Sequence, residues 1–395
     1  MTRRALQGPP LRRNPPVPRE ELPFPTGAQL DLVKAAVLPA DSAAPAWRRW
    51  KARGIPLEAV DPASGRLFSH LWTNRVAAGI GAEDLPLLKG IYRQTLANNA
   101  VVLDGAFEVT QPLIDAGIPV LFIKGSAVIA VAGSHRLGLR RIIDADVLVP
   151  EADADRAVAI VRAAGYQAKT PDYGLPLPAE TNHAWTCVTS NGSELDLHWW
   201  AFKTAGDDVS MFETARTATL LGRSVLIPSA TEVLVAAVAQ AFSGAPARTP
   251  LRWIADAMLI FDLEADLIDW GALLRRSRRP GLTLGLSSGL DFLAREFGAP
   301  VPKEVLSELQ RRPVSLRERG AHLAACRDLR RVGRLLFQLE LHRTRRLRDP
   351  AEVPRDFLGH LAQATGARTG KRRDVFERQA ARAVQRLTRP ETFSR

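Results

Sequence analysis

The sequence predicts an α/β fold of the α+β kind, a small mixed sheet set between an N-terminal helical segment and a longer, mainly helical C-terminal region. Three observations predict it. Apolar runs of strand length, Ile118 to Ile123 and Ile142 to Val149, lie in the middle of the chain. Two alternating segments flank Asn191-Gly192, a pair that tolerates positive φ and suits a hairpin turn. Before and after this middle, apolar residues recur at helical spacing.

Residues 1–25 carry Pro9, Pro10, Pro15, Pro16, Pro18, Pro23 and Pro25 among scattered charges, which predicts a disordered Pro/Arg-rich tail. Residues 26–95 read as a helical segment, with helical spacing from Gly27 to Gly54 and from Leu67 to Val76. A longer helix runs from Leu87 towards Ile114 and stops at Gly117. The mixed unit is placed at 96–228. In it, Ile118 to Ile123 reads as a buried strand, and Ser126 opens a short helix as its cap. Ile142 to Val149 alternates as a second strand, and Glu151 to Ala164 reads as a helix stopped by Gly165. His183 to Trp200 is the hairpin, and Arg223 to Ile227 is a last strand closed by Pro228. Residues 229–395 read as a helical, Arg-rich domain.

The 395 residues suffice for two or three domains with a substantial core. At 46% apolar and 24% charged, the composition excludes wholesale disorder and fibrous repeats. No apolar run reaches the roughly 18 to 20 residues needed to cross a bilayer, and the first residues lack a signal-peptide core. A cytoplasmic protein without a membrane partner is therefore expected. Cys187 and Cys326 are too few for a disulfide framework or a zinc knuckle and read as reduced thiols. The net charge of +12 divides into +6 over 1–100, −9 over 101–270 and +15 over 271–395. An acidic centre suits divalent cations; basic flanks suit phosphates, including those of a nucleic acid met by the C-terminal region. Against that partner stands a chain-wide preference for Arg, 46 against eight Lys, which makes surfaces basic in any case.

Strand alternation turns Asp144 and Asp146 to one face and Ala145 and Val147 to the other. Two carboxylates in one small space repel, and a divalent cation relieves them. Mg²⁺ is the natural ion, with Mn²⁺ as its substitute, because hard ions take oxygen ligands and keep room for substrate phosphates. In the second hairpin strand the same alternation groups Glu194, Asp196 and His198. If that strand lies beside the Asp144 strand, three carboxylates converge, as a two-metal site requires. Gly125 leaves room for close backbone approach, and Ser126 stands at a helix start that attracts anions. Lys124 and Arg140 flank these elements and balance phosphate or carboxylate charge, with Arg141 an alternative to Arg140.

Gly125-Ser126, then Asp144-Ala145-Asp146, then Leu195-Asp196-Leu197 resembles the three-part signature of the DNA polymerase β-like nucleotidyltransferase superfamily. More narrowly, IPVLFIKGSA, GLRRIIDADVLV, ELDLHWW and LRWIADA resemble the uncharacterised nucleotidyltransferase family NTP_transf_5, over about residues 85 to 262. The resemblance implies a palm-like sheet that moves a nucleoside monophosphate from an NTP such as ATP to an acceptor, releasing pyrophosphate. It implies that Asp144 and Asp146 bind both metals, and that Asp196 binds the catalytic ion and helps deprotonate the acceptor hydroxyl. Lys124, Gly125, Ser126 and Arg140 are then the nucleotide-binding set. The acceptor stays open among small molecules, peptides, proteins and RNA.

Other readings stand beside these. His198 reads as a structural hydrogen-bonder, Trp199, Trp200 and Trp253 as packing residues, and Asp256 as a helix-surface acid. A metal-dependent glycosyltransferase also uses Asp-x-Asp, but needs neither a third acid nor a preceding Lys-Gly-Ser. A non-catalytic module gripping nucleic acid or a partner through the basic flanks is the alternative of another class. The chain has no P-loop, H-E-x-x-H, G-x-S-x-G or strand-borne G-x-G-x-x-G motif.

Overall fold

A computed structural model describes residues 23–25, 27–169, 183–202, 208–242 and 251–326, together with residues 339, 342 and 343. Of the basic region assigned to nucleic acid, residues 271–326 are described, and all but three of those after residue 326 lie outside the described residues. The N-terminal segment is helical, as its spacing predicts: α1 (Gly27–Val37), α2 (Ala40–Lys51), α3 (Pro62–Gly65), α4 (Phe68–Thr73) and α5 (Arg75–Ala78). Then comes α6 (Leu85–Asp115), whose end is closed by Gly117 at φ 76° with the Ile118 amide donating back to Leu113. The mixed unit follows as β1 (Leu121–Phe122), α7 (Lys124–Ala132), β2 (Asp144–Leu148), α8 (Ala154–Ala163), β3 (Gln167–Ala168), β4 (Ala184–Val188), β5 (Glu194–His198), α9 (Val209–Glu213), β6 (Arg216–Leu220) and β7 (Arg223–Ile227). The last described helices are α10 (Ala230–Phe242), α11 (Arg252–Glu264), α12 (Trp270–Arg276), α13 (Thr283–Phe297), α14 (Lys303–Arg311) and α15 (Leu316–Cys326). No helix among the described residues is long and apolar enough to cross a membrane.

The strands form one seven-stranded mixed sheet in the order β3-β4-β5-β2-β1-β7-β6. The α/β class is as the sequence predicts. β2 runs parallel to β5 and antiparallel to β1, so the acid-bearing strand lies near the centre. Ala145, Val147, Leu195 and Leu197 are solvent-inaccessible on the face covered by α6, which packs against both strands. One continuous core runs from Leu32 through the sheet to Leu309. Trp199, Trp200 and Trp253 are buried in it as packing residues.

Four local expectations are corrected. The first strand shrinks to Leu121–Phe122, because Ile118 to Val120 only link α6 to the sheet and Lys124 already turns away. The hairpin turn spans Thr189 to Ser193 instead of two residues, since Thr189 and Asn191 side chains bond the loop's own backbone and Ser193. An unanticipated strand, β6, pairs with β7 across Leu221-Gly222, both at positive φ (48° and 77°). Its Arg-Thr-Ala-Thr-Leu run has only one large apolar residue, Leu220, to mark a strand. The end of the expected tail also packs: Phe24 meets Phe242 and Phe292, and Trp253 Nε1 donates to the Pro23 carbonyl.

Candidate active site

The register between β2 and β5 places Asp146 opposite Asp196 and Leu148 opposite His198. Alternation then sets Asp144, Asp146, Asp196 and His198 on the face away from α6. Asp146 Oδ1 accepts from Lys124 Nζ at 2.5 Å and lies 2.9 Å from His198 Nε2, which is 3.1 Å from the same ammonium. Asp196 Oδ1 accepts from Thr186 Oγ1 at 2.5 Å, across the β4–β5 ladder. Asp146, Asp196 and His198 each offer a ligand atom, and these atoms lie within 4.8 Å of one another. Two carboxylates and an imidazole at that spacing fit a divalent cation.

Burial, reinforced by the negative charges of Asp146 and Asp196, pushes the Asp144 carboxyl up to about 6. Burial pushes Asp146 the same way, but the Lys124 ammonium and the adjoining His198 imidazole outweigh it and hold this carboxyl well below its usual range. Burial and the Lys124 charge push the His198 imidazole down, against the pull of Asp146. That direction favours the neutral imidazole, the form that ligates metals.

A carboxyl whose folded pKa exceeds its unfolded value favours the fold while protonated. For Asp144 that contribution is present below pH 3.8 and lost as pH rises through about 6. Asp144→Asn, neutral throughout, is thus expected to stabilise the metal-free protein at pH 8 by about 1–2 kcal/mol after allowance for its partial exposure, and not at pH 4. Urea titrations in chelator at both pH values check this; an equal effect at both contradicts it. Added Mn²⁺ should reverse the order at pH 8, because only the wild type keeps all its ligands.

On the expected phosphate side, the helix starts two residues earlier than the sequence suggests. Ile123 is its N-cap without a side-chain bond, so Ser126 is no cap but lies inside the first turn, its Oγ buried without a partner. Lys124 begins α7 at φ 50°, in the left-handed region that side chains rarely adopt. Arg140 is paired with an acid: its Nε lies 2.9 Å from both oxygens of Asp256, with side chains 5% and 2% exposed. The space beside Gly125 is filled by Arg140. A Cβ there would collide with its Nη1 and come within 2.6 Å of Ile142 Cγ2. Gly125→Ala is accordingly expected to cost about 1–3 kcal/mol in urea denaturation, whatever ligand is present. A cost under about 0.5 kcal/mol would mean that the guanidinium yields easily.

The model of a family described as an uncharacterised nucleotidyltransferase, NTP_transf_5, matches residues 63–298, more than half of the chain. The chain belongs to this nucleotidyltransferase family. It is accordingly a transferase, with nucleotidyl transfer as its general chemistry. Among solved structures it is similar to the antibiotic-resistance factor ANT(2'')-Ia, with 19% identity and a TM-score of 0.33 over 44% of this chain and 91% of that one. It is also similar to an antigenic nucleotidyltransferase-like protein from Paracoccidioides brasiliensis, with 15% identity and a TM-score of 0.32 over 56% of this chain and 95% of that one. No curated protein matches it.

Two parts of this candidate site go beyond the sequence reading. His198, read as a structural hydrogen-bonder, is 1% exposed and lies against Asp146 among the candidate ligands, and Asp256 is a buried counter-ion, not a surface acid. The loop that feeds β2 is pinned from α6. Asn99 Nδ2 donates to the Leu137 and Arg140 carbonyls at 2.7 Å each, its Oδ1 accepts from the Ile142 amide at 3.0 Å, and Asn98 Nδ2 donates to the Ile142 carbonyl at 2.7 Å. The available signal was an adjacent Asn pair, poor helix formers, inside a long helix.

Proposed function

We propose that this nucleotidyltransferase transfers a nucleoside monophosphate from an NTP to an acceptor hydroxyl by a two-metal mechanism, with Mg²⁺ or Mn²⁺ held by Asp144, Asp146 and Asp196. The observation that carries the reading is the β2–β5 register, which sets Asp146 directly opposite Asp196 with Asp144 on the same face. His198 joins the ligand set through Nε2, supported by its place within 4.8 Å of both acids' ligand atoms. When bound, the divalent ions neutralise phosphate oxygens and lower the pKa of the acceptor hydroxyl.

The chain's own groups supply the rest. Asp196 accepts the acceptor's proton through the oxygen that Thr186 leaves free. The acceptor oxygen bonds to the α-phosphorus as the bond to pyrophosphate breaks. Lys124 balances the charge of the departing phosphates, and the start of α7, with the buried Ser126 hydroxyl, offers them unpaired donors. Arg140, paired with Asp256, supports this turn by filling the space beside Gly125.

The test is incubation of the purified protein with Mg²⁺ or Mn²⁺, each labelled NTP in turn and a pool of hydroxyl acceptors. Label transfer with stoichiometric pyrophosphate supports the reading. Failure of every NTP to stabilise the protein against heat in the presence of metal sinks it. Neither the glycosyltransferase nor the non-catalytic alternative has an observation in its favour, and the latter predicts salt-sensitive RNA binding unaffected by Asp144→Ala.

A further inference from the structure

Three atoms meet at the centre of the site: Lys124 Nζ, Asp146 Oδ1 and His198 Nε2, separated by 2.5, 2.9 and 3.1 Å. An ammonium only donates, so it meets Nε2 as an acceptor in the tautomer whose proton lies on Nδ1, and in that tautomer Oδ1 and Nε2 lie in contact with no proton between them. A cation that spans both atoms favours that form, as in a metal's ligand set. The ring's other nitrogen, Nδ1, is buried without a partner, so no hydrogen bond on that side fixes the tautomer and the choice falls to the groups at Nε2.

The three members differ in freedom. Asp146 and His198 side chains are 12% and 1% exposed, whereas Lys124 is 27% exposed on a flexible stem. Its backbone stands at φ 50°, a conformation that costs free energy and persists where the surroundings impose it. From that position at the junction of β1 and α7 the side chain reaches the two ligands, and the first turn of α7 lies beside it.

We propose that the Lys124 ammonium is a resident cation that holds Asp146 Oδ1 and His198 Nε2 in ligating geometry and leaves them for the substrate's phosphates when a divalent ion binds. The inference rests on the metal site proposed above. It has a thermodynamic consequence. Ion and ammonium compete for one carboxylate, so the free protein binds the ion weakly. A polyphosphate gives the ammonium another anion, so nucleotide and ion strengthen each other's binding.

Mn²⁺ binding to the full chain, followed by electron paramagnetic resonance with and without a non-hydrolysable ATP analogue, tests this. Without nucleotide, Lys124→Met is expected to bind Mn²⁺ about tenfold more tightly than wild type. With the analogue, wild type should gain affinity about tenfold and Lys124→Met should gain little. Equal or weaker Mn²⁺ binding by Lys124→Met overturns the inference. Lys124→Gln, which keeps the side-chain volume, guards against a folding defect and should behave as Lys124→Met does. Nitrogen-15 NMR of the metal-free wild type adds a readout that packing alone would not move: Nε2 of His198 should carry no proton, and a protonated Nε2 overturns the inference. Wild-type Mn²⁺ binding that is lost in Asp196→Asn but unchanged in Lys124→Met leaves the metal site standing and removes only the role of Lys124. Absence of Mn²⁺ binding in every variant removes both.

Discussion

Asp146→Asn is expected to lower nucleotidyl transfer at least about 10³-fold, the rate equivalent of about 4 kcal/mol, while the protein stays folded. The replacement keeps the side chain's volume and removes one formal charge. That charge sits at the meeting point of the site, in contact with Lys124 and His198 and opposite Asp196. An amide oxygen in its place is a weaker ligand and cannot offset a divalent ion's charge. The fold tolerates the change because the partner has an exit: Lys124 is 27% exposed and its ammonium can rehydrate. A stability loss of no more than about 1–2 kcal/mol is expected at pH 7. The pair's contribution at neutral pH follows from the depressed Asp146 pKa, which makes it fade only in strong acid. Single-turnover transfer and urea denaturation on the same preparation check both halves. Retention of more than a tenth of wild-type activity would remove Asp146 from the metal site.

Much of this site was legible because its parts are local. A period of two between Asp144 and Val147 assigns faces within one strand, and the same rule applied to Glu194 to His198 groups Asp196 with His198. The Asn191-Gly192 turn makes the pairing of β4 with β5 a short-range matter. What the rule cannot supply is which strand lies beside which. The β2–β5 pairing joins segments 50 residues apart, and without it His198 is one histidine on a hairpin. The link between Arg140 and Asp256 spans 116 positions and leaves no periodic trace. Gly125 shows the same limit from the other side. Its missing Cβ was visible in the sequence, but the group that needs the space is a guanidinium brought there by a distant helix.

Asp256→Ala is expected to cost about 3–5 kcal/mol, more than any change to the acids of the site. The contrast with Asp146 lies in the partner's confinement. Arg140 is 5% exposed, its Nε shared between both oxygens of a carboxylate that is 2% exposed, and its backbone carbonyl is held by Asn99. With the carboxylate gone, the guanidinium is left buried without its counter-ion and remains charged at any accessible pH. Removing both members is a different experiment. Arg140→Met with Asp256→Leu replaces the pair by apolar groups and should recover most of the stability, giving a coupling of at least about 2 kcal/mol in a double-mutant cycle. Activity separates the two roles of this pair. If Arg140 supports the Lys124-Gly125-Ser126 turn by filling the space beside Gly125, the recovered double variant should be stable yet bind nucleotide more weakly than wild type. Recovery of stability and nucleotide affinity together would confine Arg140 and Asp256 to the core, and a cost below about 1 kcal/mol for Asp256→Ala alone would show that the pair is dispensable even there.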